Sequence, residues 1–104
     1  MHVEVSRGAL LLRFGKHFGG HEAERLQEAI HAFMPVHELT LDFSAVHEFE
    51  DATVVPLARM LAALGHVRVR MHGLTMHQWR MLGYFGVRHA PLSSAEDSEN
   101  IARA

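Results

Sequence analysis

The chain has no cysteine, so disulfides and thiolate metal sites are excluded, and a reducing compartment fits. It has no excess of positive charge. Lys and Arg number 10 against 12 Asp and Glu, for a formal charge of −2, and no electrostatic footprint for nucleic acid is visible. No apolar run approaches the ~18 residues that a membrane-spanning helix needs. The opening "MHVEVSRG" is charged early and lacks the apolar core of a signal peptide. A cytoplasmic protein without a transmembrane segment is the expectation. Internal repeats and low-complexity segments are absent.

Catalytic signatures are missing as well. There is no nucleophile elbow, no phosphate-binding loop and no dinucleotide glycine pattern. "FGKHFGG" (Phe14–Gly20) carries three glycines without a following Lys-Ser or Lys-Thr, and reads as a strand-to-helix loop. His47, Glu48, Glu50 and Asp51 share one loop, but closeness in sequence is weak support for acid–base chemistry. The expectation is a protein that is not an enzyme and needs no cofactor.

Histidine is abundant, with 10 residues. His17 and His21 are separated by Gly19 and Gly20, which argues against one helix face. "HEAER" (His21–Arg25) begins like a zincin motif but has Arg25 in place of the second histidine. No metal site is predicted. The histidines instead make the net charge swing positive below about pH 6.5.

The 104 residues, 48 % of them hydrophobic, suit one small core. The domain is expected over residues 1–90, with a polar tail over 91–104, frayed or forming a short helix. "VEV" (Val3–Val5) and "ALLLRF" (Ala9–Phe14) read as strands around a turn at Ser6–Gly8. Ala23, Leu26, Ile30 and Phe33 form a helical stripe over His21–Met34, which Pro35 ends. "ELTLDF" (Glu38–Phe43) is a strand. Val54, Leu57, Leu61 and Leu64 mark a second helix that stops at Gly65. "VRVRMHG" (Val67–Gly73) alternates as a strand does, and Thr75 is the N-cap of a third helix carrying Trp79, Leu82 and Phe85. The order β-β-α-β-α-β-α predicts an α/β domain. Its sheet is mixed and mostly parallel, with the first strand an antiparallel edge, and three or four helices pack on it.

The stretch "EFEDATVVPLARML" (Glu48–Leu61) puts three carboxylates and one hydroxyl where the second helix begins. A helix start offers free N–H groups and partial positive charge, which stabilise an anion. Pro56 favours Thr53 as the N-cap with Val54 as first helical residue, because a proline at the third helical position deletes no intrahelical bond. The same segment also suits partner contact, centred on Glu50, Asp51 and Thr53.

"LTLDFSAVHEFEDATVVPLARMLAALG" resembles the central part of STAS domains, the fold of the bacterial anti-sigma factor antagonists. The family writes a strand ending in "LDL", a short loop, then Asp-Ser-Ser-Gly-Leu opening a helix. "VRVRMHGLTMHQWRMLGYFGV" is similar to the family's later strand, short turn and last helix. The resemblance spans Val5–Val87 and rests on element order, loop lengths and "LDFSAV".

Two alignments of the signature stay open. Without a gap, Glu50 takes the family's Asp, Asp51 and Ala52 the two serines, and Thr53 the glycine. The acceptor serine is then lost. With one extra loop residue, Asp51 matches the Asp and Thr53 the phospho-acceptor. The stripe through Val54 and Leu57 favours the ungapped alignment. The resemblance implies a protein-interaction module in signalling or transcription regulation, with an anti-sigma kinase or a larger sensory complex as partner and no standard serine switch. Alternatives are the cytoplasmic STAS subunit of a phospholipid-transporting ABC system, bound to its ATPase, and a small-ligand sensing module.

Overall fold

The computed structural model describes residues 1–84. The expected tail over 91–104, the domain boundary at residue 90 and the stripe position Phe85 lie outside the described residues.

Four strands form the main sheet. They are β1 (His2–Ser6), β2 (Ala9–Arg13), β4 (Glu38–Asp42) and β6 (Arg68–His72), in the order β1-β2-β4-β6. β1 is antiparallel to β2, with Val3 opposite Leu12 and Ser6 opposite Ala9. β2, β4 and β6 run parallel in one register, so that Leu12, Leu41 and Met71 share a row. The β1–β2 turn needs Gly8 at a positive φ of 68°. A side chain there would meet the His37 ring at 2.8 Å, because the Gly8 carbonyl accepts from the His37 N–H at 2.7 Å and the Glu38 N–H at 3.1 Å.

Strand alternation separates two faces. Leu10, Leu12, Leu39, Leu41, Val69 and Met71 are buried, whereas Arg13, Arg68, Arg70 and His72 are exposed on the other side. The helices α1 (Gly20–Phe33), α2 (Val54–Ala62) and α3 (Met76–Tyr84) cover the apolar face and join one core cluster. Fold and order match the sequence reading: a single α/β domain with a mixed, mostly parallel sheet and its first strand antiparallel at an edge.

The helix ends show what the sequence signals did. The Gly19 N–H donates to Glu22 Oε1 at 2.9 Å at the start of α1. At its end, Met34 is extended before Pro35. The buried stripe of α1 is Ala23, Leu26, Ala29 and Ile30, and the expected Phe33 is 41 % exposed. Phe33 is the last residue of α1, where the helix has run past the core. α2 ends at Ala62, short of Gly65, and a turn carries the chain on, with Gly65 at a φ of 64°. Thr75 starts α3 as expected. Its Oγ1 accepts from the Gln78 N–H at 3.2 Å, and its own N–H donates to Gln78 Oε1 at 2.8 Å.

Two pieces were not foreseen. β3 (His17–Phe18) and β5 (Glu48–Phe49) pair in parallel as a second, two-stranded sheet. Both fall in segments that read as loops, and two residues carry no alternation signal.

Candidate functional site

The parallel strands deliver their connecting loops to one end of the sheet. Phe14 and Phe43 follow β2 and β4 there, and Phe18 and Phe49 lie on β3 and β5. Phe14 stacks on Phe43 at 5.0 Å and meets Phe18 edge-on at 4.8 Å. Phe18 stacks on Phe49 at 5.2 Å. Such contacts add to area burial by about 0.5–1.5 kcal/mol each. Main-chain bonds reinforce them: the Lys16 carbonyl accepts from the N–H groups of His47 and Glu48, and the Phe18 carbonyl accepts from the Glu50 N–H at 2.9 Å.

The end of β4 is set by Asp42. Its Oδ1 accepts from the Ser44 N–H at 2.9 Å and from the Ser44 hydroxyl, and its Oδ2 accepts from Arg13 Nε at 3.2 Å. Burial would raise this carboxyl, but the Ser44 bonds and the Arg13 guanidinium outweigh it and hold it below the ordinary value. Gly73, at a φ of 87°, lies against this turn. A Cβ there would sit 2.5 Å from the Ser44 nitrogen.

The acidic segment leaves this frame at Glu50. Asp51–Thr53 form a 3-10 turn that runs directly into α2. Val54 is the first α-helical residue and Pro56 the third, as the proline predicts. The expected capping bond is not made. Thr53 is already helical at φ −83° and ψ −8° and has no side-chain cap bond. The 3-10 turn places it after the true start, so its hydroxyl donates back to the Glu50 carbonyl. Thr53 is also 3 % exposed. The residue expected on the contact surface, and considered as a phospho-acceptor, is therefore buried at the start of α2 in the free chain.

Glu50 and Asp51 do reach the surface, with side chains 51 % and 64 % exposed. Asp51 Oδ2 lies 3.7 Å from His77 Nε2 of α3. Glu50 Oε2 lies 3.0 Å from His17 Nε2. His17 also approaches Glu48 at 3.4 Å and Glu22 at 4.0 Å. The Gly19 N–H, more than the neighbouring histidines, holds the Glu22 carboxyl below its ordinary value. The loop group of His47, Glu48, Glu50 and Asp51 is thus reordered: the imidazole that meets Glu48 and Glu50 is His17, brought by the β3–β5 pairing, and the one that meets Asp51 is His77. The partner of His17 across that ladder is Glu48, and no local motif in the sequence announces the pair. His21 lies on α1 and does not join it. Among the described residues no group of three or more His, Asp or Glu is arranged to hold a metal ion. A shallow depression of about 310 Å³ beside His17 is lined by Phe14, Gly15, Lys16, Glu22 and Arg25.

Among the described residues no helix is long and apolar enough to cross a membrane. No family model matches the chain, and no curated protein sequence does. Its structure is similar to that of the anti-sigma factor antagonist SpoIIAA in its unphosphorylated form, with a TM-score of 0.63 and 18 % identity over 96 % of each chain. A parallel sheet with one antiparallel edge and three helices on one face thus give the chain a STAS-like fold.

Proposed function

We propose that this chain is a non-enzymatic interaction module of the anti-sigma factor antagonist type, acting in the cytoplasm on a protein partner in signalling or transcription regulation. Contact is centred on Glu50 and Asp51, and Thr53 supports it from beneath by binding the Glu50 carbonyl. The observation that carries this reading is the pair of exposed carboxylates at the start of α2, fixed on a frame of main-chain bonds and phenylalanines. A preformed anionic ridge suits a cationic partner surface and speeds encounter. It lacks an accessible hydroxyl at Thr53, so binding is constitutive rather than set by phosphorylation.

The partner class is an anti-sigma kinase or a sensory complex. The test is quantitative cross-linking in cells of the source organism, with the full chain and its Asp51→Lys variant as baits. A kinase-like partner captured by the first and depleted with the second supports the reading. An ABC ATPase captured in the same way would assign the chain to a transporter instead. Capture of every partner equally by both baits would overturn the proposed contact.

A further inference from the structure

Two histidines from different elements stand against the acidic start of α2. His17, on β3, approaches Glu50 through Nε2 at 3.0 Å and Glu48 through Nδ1 at 3.4 Å, and its Nε2 is 4.0 Å from Glu22. His77, on α3, lies 3.7 Å from Asp51. The β3–β5 ladder sets His17 opposite Glu48. Gly19 leaves room for the ring to meet Glu50: a Cβ there would lie 2.8 Å from His17 Nε2 and 2.7 Å from Glu50 Oε1.

A neutral imidazole carries one N–H and one bare nitrogen, whereas an imidazolium donates from both. With a carboxylate at each nitrogen, the neutral ring of His17 can serve Glu48 or Glu50 and turns a lone pair to the other. The protonated ring serves both. A proton on His17 thus cancels one negative charge and ties two carboxylates to one ring. At His77 only the charge changes. Histidine makes this change between pH 5 and 8, a range in which aspartate and glutamate stay ionised and lysine and arginine stay charged.

The other charged groups around the two rings add charge of fixed sign. Beside His17 they are Lys16, Arg25 and the Met1 terminus, which line the same depression. Around His77 they are Arg80 on α3 itself and Arg59 on α2, which packs against α3. Two further imidazoles stand next to these carboxylates in the chain, His47 before Glu48 and His21 before Glu22, and neither makes an ion pair among the described residues.

We infer that the ridge at the start of α2 is gated by acidity. Protons on His17 and His77 neutralise and tie down Glu48, Glu50 and Asp51, so a cationic partner is held at neutral pH and released in mild acid. The inference rests on the contact proposed at Glu50 and Asp51 and adds the condition under which that contact is lost. No covalent step is involved, because each proton comes from solvent and returns to it.

The test uses the full chain and hexalysine, a cationic probe whose charge is constant between pH 5.5 and 7.5. NMR titrations at low salt read its binding from the amide shifts of Glu50 and Asp51. Affinity should fall roughly tenfold from pH 7.5 to pH 5.5. His17→Gln with His77→Gln leaves polar side chains that cannot gain a proton, and should remove most of that fall. His31→Gln with His66→Gln removes two exposed histidines at the end of α1 and before β6, away from the ridge, and should leave the fall in place. Equal affinity at the two pH values in the unaltered chain would overturn the inference. An equal fall in both double variants would also overturn it, assigning the effect to the charge of the whole molecule. Asp51→Lys at pH 7.5 tests the underlying contact separately. If it weakens binding while the unaltered chain shows no pH dependence, only the gate fails. If it leaves binding unchanged, or if hexalysine moves neither amide at pH 7.5, the ridge is no cation contact and both readings fail.

Discussion

His17 Nε2 lies 3.0 Å from Glu50 Oε2, joining β3 to the start of α2. The pair is half exposed, so its worth to stability is about 0–1 kcal/mol. Its larger effect is on the direction of the Glu50 carboxylate. His17→Ala should leave the melting temperature nearly unchanged and weaken partner binding by about 0.5–1 kcal/mol. In the Glu50→Gln background the same substitution should have less effect on binding, which a double-mutant cycle by calorimetry would read.

Asp51→Lys reverses the charge of the most exposed acidic group on the ridge. Binding should weaken by ~1–3 kcal/mol, while the fold loses less than ~1 kcal/mol. Titration against the captured partner and chemical denaturation separate the two. A variant that binds as before would move the contact away from the start of α2.

Thr53 is a test of burial. Thr53→Val keeps the shape and removes the bond to the Glu50 carbonyl, so about 1 kcal/mol of stability should be lost. Thr53→Asp forces a carboxylate into the same buried site and should cost about 3 kcal/mol or more. Incubation of the folded protein with the kinase-like partner and ATP should leave Thr53 without phosphate by mass spectrometry. Rapid, complete phosphorylation of Thr53 would contradict its burial and favour the gapped alignment of the signature.

Gly73 and Gly65 both have positive φ, but only Gly73 is crowded. Gly73→Ala meets the Ser44 backbone and should cost about 2–4 kcal/mol. Gly65→Ala meets nothing within 4 Å, so only the backbone penalty of about 1–2 kcal/mol applies. Denaturant midpoints of the two variants would reveal the difference.

Asp42 and Glu22 set the response to acid. Both carboxyls are held below their ordinary values of 3.8 and 4.5 when folded. The unfolded chain then takes up more protons, and stability rises with pH through this range. Their contribution is fully present above those ordinary values and is lost as pH falls through the lower, folded values. Asp42→Asn should flatten the acid limb of a stability-against-pH curve while leaving the limb above neutrality in place.

Much of the frame was legible because its signals are periodic. Leu39 and Leu41 alternate, as do Val69 and Met71, and Val54, Leu57 and Leu61 recur at helical spacing; each set is buried. Pro56 located the first α-helical residue. The site was less legible for reasons of scale. β3 and β5 are each two residues long, too short for a pattern, yet they bring His17 to Glu48 and Glu50. The 3-10 turn has no sequence mark of its own. It rotated Thr53 inward, so a residue suited to capping instead became part of the core's edge.

The four phenylalanines under the acidic ridge have a consequence for how recognition would proceed. They and the main-chain bonds around Lys16 and Phe18 fix the segment leading to Glu50 as part of folding itself. Its conformational entropy is lost before any partner arrives, and association has little loop ordering left to do. Docking should then resemble rigid-body capture, with heat-capacity changes set by the area covered rather than by coupled folding. A cavity made beneath the ridge, as in Phe49→Ala, would shift that ordering back onto the encounter. Affinity would then fall although every carboxylate remained in place.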